Sequence, residues 1–201
     1  WALKEGLPSP LFAPAMKLGQ AVRGLLPAAL QAKVPAKQIA KAWPTREHAR
    51  KVLMLGGCVQ PTMAPNINAS TARVLDAAGI QTVLAAKAGC CGAVKFHLND
   101  HDGGKAQMRA NIDAWWPFVE SSAVEAIVMN ASGCGVTVKE YGHILKDDAQ
   151  YAAKAERISA GCNGSGQVFL AGDAANLDSG TGHEFKAGPA PCRQRRLSVA
   201  R

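Results

Sequence analysis

Four cysteines stand where short apolar runs end: Cys58, the adjacent pair Cys90 and Cys91, and Cys134. Each has glycine beside it, in Gly56-Gly57-Cys58, Gly89-Cys90-Cys91-Gly92 and Gly133-Cys134-Gly135. A cysteine thiolate is a soft donor, the kind that zinc and iron–sulfur clusters take. Glycine lets the backbone approach a bulky inorganic group and adopt positive φ. Cys58, Cys90, Cys91 and Cys134 are therefore the candidate metal ligands, and Gly57, Gly89, Gly92, Gly133 and Gly135 the candidate cradle. A helix beginning after each turn would favour the thiolate form. One such cysteine would be read as a small buried hydrophobe; four at equivalent places call for a common purpose.

The other reactive residues carry less. A disulfide between the neighbours Cys90 and Cys91 would be strained. A thiol nucleophile with His97 or His143 as its base is conceivable, but the spacing singles out neither, and no catalytic residue is assigned. His101, between acids, reads as a solvated loop residue. Lys87 and Lys139 could offset thiolate charge and are more simply solvated. Cys162 and Cys192 lie in an irregular stretch without strand context and read as free thiols outside the site. Trp115 and Trp116 read as core and partner surface. Gly172-Asp-Ala-Ala has no strand or helix around it and is weak as a nucleotide motif.

The elements that must position the thiols follow from periodicity. Strands are expected over 51–57, 81–86 and 125–130. Between and after them lie helices over 65–78, with Ile67, Thr71, Val74, Leu75 and Ala78 inward, 105–121, with Met108, Ile112, Trp115 or Trp116, and Val119 inward, 136–145, and 151–158. Gly79 stops the first of these, Pro117 bends or shortens the second, and Asp147 or Asp148 caps the last. Strands separated by helices make parallel βαβ crossovers. The fold class is thus α/β, a small Rossmann-like parallel sheet with flanking helices. Parallel strands end at one edge, where open sheets bind ligands. Three strands make a small sheet, so a further strand is expected from the flanks or beyond.

Residues 1–45 are rich in Pro, Ala and Lys and read as an extended helical N-terminal linker. A helix is expected over 15–26, with Met16, Leu18, Val22, Leu25 and Leu26 on its apolar face, and a short turn over 28–34. The expected division is a linker at 1–45 following a missing ferredoxin-like domain, an α/β cysteine-rich domain at 46–159, and an irregular tail at 160–201 that reads as a frameshift or junction. The chain opens on Trp1 rather than Met, as a fragment would.

Bulk properties narrow the function. The 201 residues, 48% hydrophobic and 19% charged, have a globular composition. No apolar run is long enough to span a bilayer, and no secretory signal opens the chain. Six cysteines are too few for a small disulfide scaffold, so a reducing, cytoplasmic setting is expected. The net charge of +8 divides into +6 over residues 1–50, zero over 51–157 and +2 over 158–201. The folded part is neutral, so no nucleic-acid partner is expected; the basic flank is solvated or faces a partner.

Longer motifs carry a family resemblance. Gly57-Cys58-Val-Gln-Pro61, Gly89-Cys90-Cys91-Gly-Ala-Val-Lys-Phe-His97-Leu98, Asn111-Ile-Asp-Ala-Trp-Trp-Pro117 and Ala131-Ser-Gly-Cys-Gly-Val-Thr-Val-Lys-Glu-Tyr-Gly142 resemble the iron–sulfur subunit of glycolate oxidase (glycolate dehydrogenase). Its cysteine-rich (CCG) domain is related to those of heterodisulfide reductase and of lactate-using complexes. The resemblance covers residues 5–159. It implies an oxidoreductase complex in which a flavin (FAD) subunit oxidises glycolate to glyoxylate. This chain would pass the electrons to a membrane electron acceptor, peripheral to the inner membrane, with a [4Fe–4S] cluster as cofactor in the full-length subunit. Three departures stand out: no ferredoxin-like cysteine run precedes the domain, no second cysteine-rich module follows it, and Ala131 occupies the first position of what is otherwise Cys-x-x-Cys. Four thiols remain, a number that suits zinc or an ordinary cluster. The competing readings are a structural zinc module that joins subunits and moves no electrons, and a metal-free interaction domain.

Overall fold

The computed structural model describes residues 2–164. Its centre is a four-stranded parallel sheet in the order β2-β1-β3-β4. The strands are β1 (Arg50–Met54), β2 (Ile80–Val83), β3 (Ile127–Met129) and β4 (Cys162–Gly164). The helices of the N-terminal segment are α1 (Ala2–Gly6), α2 (Phe12–Ala21) and α3 (Ala28–Gln31), with a 3₁₀ turn at Arg23–Leu25. Those of the α/β unit are α4 (Gln60–Met63), α5 (Pro65–Ala77), α6 (Ala93–His97), α7 (His101–Glu120), α8 (Ser132–Lys139), α9 (Tyr141–Ile144) and α10 (Ala152–Gly161). The α/β class and small parallel sheet agree with the sequence. No helix among the described residues is long and apolar enough to cross a membrane.

Strand residues alternate between two faces. Leu53, Leu55, Ile127 and Met129 pack with Met108, Ile112 and Trp115 of α7 and with residues of α8–α10. Val52, Ala126 and Val128 turn the other way, onto Leu75 of α5. Both faces are covered, so Val52, Leu53 and Met54 are all buried, as parallel strands require. Gly79, at φ +73°, follows the end of α5 and stops it in the left-handed conformation.

Several elements differ from the sequence expectation for physical reasons. The inward residues of α5 are Asn68, Ala69, Ala72 and Leu75, while Val74 is 52% exposed and Ile67 is also exposed. The buried asparagine displaces the apolar stripe by about one position. Helix α7 starts four residues early, because Asp100 caps it, accepting from Gly103 N at 3.0 Å. It continues past Pro117 to Glu120. The expected helix over 136–145 is two pieces, α8 and α9. In the N-terminal segment no residue of α2 is buried, and Leu18 and Leu25 are exposed, so the expected apolar face meets solvent. Cys162 does have strand context: it lies on β4, paired with Ile127 and buried. The strand's Cys-Asn-Gly sequence offers no apolar run to detect. Residues 165–201, including Cys192 and Gly172, lie outside the described residues.

Candidate metal centre

The chain adds β2 on one side of β1, and β3 and β4 on the other. In open α/β sheets, the crevice beyond the carboxyl ends at such a reversal is the usual ligand position. The loop after β1 brings Cys58 there, the loop after β2 brings Cys90 and Cys91, and the first turn of α8 brings Cys134. All four line one cavity of about 350 Å³ whose other walls include Val59, Val94 and Met129. Cys58 and Cys134 are half-buried and Cys90 and Cys91 buried, all as free thiols.

Two of the sulfurs meet directly. Cys58 Sγ donates to Cys90 Sγ across 3.4 Å. Cys91 interacts with both Cys134 and Cys90, its single S–H shared between them. Among the described residues no three Cys, His, Asp or Glu side chains already surround one ion position.

Neighbouring thiols bias one another's protons. Hydrogen bonds from Cys58 and Cys91 hold Cys90 well below the usual thiol range, helped by the Gly92 backbone N–H and the Lys95 charge against burial. The Cys91 hydrogen bond lowers Cys134. As donors, Cys58 and Cys91 are pushed up, with burial adding to both. The thiolate form is thus favoured at Cys90 and Cys134 and disfavoured at Cys58 and Cys91. The cation that reaches Cys90 is Lys95, whose ammonium pairs with Glu5 at 3.0 Å and Asp100 at 3.5 Å. Lys87 and Lys139, the sequence candidates, are exposed. His97, His143 and His101 are also exposed, and none lines the cavity; His101 opens α7, edge-on to Phe96.

The glycines divide. Gly57 and Gly133 line the cavity, and Gly57 has φ +82°. Gly89, Gly92 and Gly135 do not line it. Gly92 has φ +89°, and an added Cβ would stand 2.7 Å from the Gly104 carbonyl, so packing against α7 explains it. Gly135 is closely packed on Met129. Ala131 lines the cavity.

Two buried polar groups escaped the sequence reading. Asn111 Oδ1 accepts from Gly89 N at 2.8 Å, and its Nδ2 donates to the Cys90 carbonyl at 2.8 Å and to Tyr141 Oη at 3.3 Å. Tyr141 Oη donates to the Cys91 carbonyl at 2.7 Å, and burial keeps the phenol protonated. On the opposite wall, Gln60 Nε2 donates to Asn68 Oδ1 and Asn130 Oδ1, both at 2.8 Å, and Asn68 Nδ2 donates to the Gly56 carbonyl at 2.9 Å. These amides tie the loops after β1 and β3 together. The one available signal was a polar residue at a helical position facing inward.

As a donor set, four thiols on one cavity, two of them shifted toward the thiolate form, fit a soft metal or an iron–sulfur cluster. The cavity, of about 350 Å³, has room for a group with several metal atoms.

Residues 52–139 match the cysteine-rich domain family CCG. The chain is 53% identical over 163 residues to the "Glycolate oxidase iron-sulfur subunit" of Escherichia coli (strain K12), a stretch covering 78% of this chain and 40% of that protein. It is 35% identical over 106 residues to the "Probable glycolate oxidase iron-sulfur subunit" of Bacillus subtilis (strain 168), covering 53% of this chain and 23% of that one. It is 25% identical over 109 residues to "Lactate utilization protein A" of Bacillus cytotoxicus, covering 54% and 43% respectively. The chain spans less than half the length of these curated relatives. No solved structure matches it. With the match beginning inside β1, ending with α8 and enclosing all four thiols, residues 52–139 are a cysteine-rich domain of the CCG family.

Proposed function

We propose that Cys58, Cys90, Cys91 and Cys134 hold an iron–sulfur cluster, and that this chain is electron-transfer machinery of a glycolate-oxidising complex. In this reading an FAD-bearing subunit takes two electrons and two protons' worth of hydrogen from glycolate to give glyoxylate. The present chain contacts no glycolate; it relays electrons to an acceptor in the inner membrane, at whose cytoplasmic face it sits. A bound cluster supplies reversible one-electron redox chemistry. The chain's own residues hold and shield it: the four thiols ligate, Lys95 offsets negative charge at Cys90, and Val59, Val94 and Met129 limit water.

The observation that carries the reading is the convergence of four sulfurs, drawn from three loops, on one cavity. Sequence similarity to glycolate oxidase iron–sulfur subunits supports the choice of cluster and complex. One feature favours the zinc reading: the 3.4 Å between Cys58 and Cys90 is near the separation of about 3.8 Å that Zn–S bonds of about 2.3 Å give in a tetrahedron.

Elemental analysis of anaerobically prepared full chain decides between them. Iron with acid-labile sulfide and visible absorption is the expected result. Zinc without sulfide or colour would establish the structural reading instead. Replacing Cys90 and Cys91 by Ser should abolish uptake; unchanged metal content in that double variant would exclude this site.

A further inference from the structure

A helix that packs on one neighbouring surface needs one apolar stripe. Helix α2 and the 3₁₀ turn after it carry two, side by side. Phe12, Met16 and Gly19 recur at helical spacing and are partly buried. On that side Arg23 Nε donates to the Val34 carbonyl at 2.8 Å, and Gln20 Nε2 donates to the Thr62 carbonyl of α4 at 3.5 Å. Leu11, Leu18, Val22 and Leu25 recur at helical spacing as well, and Leu11, Leu18 and Leu25 are 73%, 67% and 87% exposed. At Leu11 this second stripe runs into an open groove of about 880 Å³, lined also by Leu7, Phe12 and Ala15.

Apolar exposure and positive charge coincide here. Seven of the twelve exposed large apolar side chains among the described residues lie between residues 3 and 39. From Gly6 to Arg46 there are six Lys or Arg and no acid, and Lys17, Lys33, Lys37 and Lys41 are exposed. Exposed apolar patches mark contacts with protein or with lipid. A helix lying in a lipid interface keeps a strongly charged face toward water, whereas Lys17 is the one charged residue of α2. Adjoining apolar stripes suit a helix held between two protein bodies instead. Charge then selects the second body. Residues 51–157 are neutral and residues 158–201 net +2, so neither another copy of the chain nor its own last residues supply the opposite charge.

We propose that Leu11, Leu18, Val22 and Leu25, with the adjoining groove, form a docking surface for another protein subunit, whose contact face is apolar at its centre and acidic at its rim. Interfaces of this anatomy bury the apolar residues in the middle and leave charges around them. Lys17, Lys33 and Lys37 meet the acidic rim. In the proposed function that subunit is the FAD-bearing one; its identity rests on that reading, and the experiment separates the two ideas.

The probe is the purified FAD-bearing subunit, titrated into the full chain and followed by sedimentation velocity at low and moderate salt. Saturable binding is expected, weakening as salt rises because rim charges are screened. Leu18→Asp with Leu25→Asp should weaken it by about tenfold or more, whereas Val74→Asp, at an exposed site on α5, should not. Lys33→Glu with Lys37→Glu should weaken it several-fold and flatten the salt dependence. Both lysines lie outside the helices, so this variant carries the test if the first does not fold. Undiminished affinity in either folded double variant overturns the proposal. Iron and acid-labile sulfide are measured in the same samples. Iron without binding overturns the docking surface and spares the cluster; stripe-dependent binding without iron supports the surface and removes the cluster. Flotation with vesicles of phosphatidylglycerol and phosphatidylcholine, or self-association without the subunit, that Leu18→Asp with Leu25→Asp abolishes assigns the stripe to lipid or to a second copy, and overturns the proposal.

Discussion

Cys162 is 2% exposed on β4, its sulfur 3.8 Å from the Gly135 carbonyl, and burial pushes its thiol up to about 11. It should remain protonated and unreactive toward iodoacetamide at mildly alkaline pH, becoming labelled only on unfolding. Mass spectrometry of native and denatured samples checks this, and native-state labelling of Cys162 would contradict its burial. The four cavity thiols were legible in the sequence because residue type and position after an apolar run are properties of the sequence itself. Asn68 and Asn111 were not. A buried asparagine on a helix resembles a surface one until its backbone partners, which lie far along the chain, are known. Lys95 was missed similarly, since its charge reaches Cys90 through folding rather than spacing.

At the scale of elements, α6 and α7 meet almost without side chains between them. An added Cβ at Gly104 would stand 2.9 Å from Phe96 Cβ and 3.0 Å from Phe96 N, contacts that require the backbone to move. Gly104→Ala should destabilise the domain by about 1–3 kcal/mol, as overpacking does, measured as a lower denaturation midpoint. The contact also explains why α7 begins before the reach of its apolar pattern: two consecutive glycines hide a first turn that Asp100 caps. A second test concerns the turn leading into α10. The Arg109 guanidinium holds the Asp148 carboxyl below the usual carboxylate range, with backbone N–H groups of Gln150 and Tyr151 assisting. A carboxyl lowered by folding contributes stability above its ordinary value, and loses that contribution as pH falls through the folded one. Asp148→Asn should therefore melt below the unsubstituted chain near neutrality, and the gap should close in strong acid. A gap of constant size across that range would remove the ionic explanation.

Across the whole molecule, charge and burial divide the chain differently from its length. From Gly6 to Arg46 there are six Lys or Arg and no acid, and no residue from Leu3 to Arg50 is buried. Its attachments are exposed or partly buried contacts, such as the Glu5–Lys95 pair and Gln20 Nε2 to the Thr62 carbonyl at 3.5 Å. Exposed ion pairs contribute about 0–1 kcal/mol. A chain beginning at Ala42 should therefore keep one cooperative unfolding transition, with Tm lowered by no more than about 4 °C, the equivalent of about 1 kcal/mol. Loss of cooperativity in calorimetry would show that this segment belongs to the fold's interior. The sheet itself was legible from alternation of strand and helix, whereas β4 was not, because Cys-Asn-Gly lacks the apolar run that marks the equally short β3.

The distance along the polypeptide between Cys58 and Cys134 also governs when the centre can exist. A nascent chain emerging from the ribosome carries Cys58 long before Cys134, and β1 gains β3 as its second neighbour only after α7 has been synthesised. Parallel pairings at such separation form late. No early intermediate presents all four sulfurs, so any metal taken up in the proposed function would be loaded only after translation of the domain. Captured metal would then report that folding is complete.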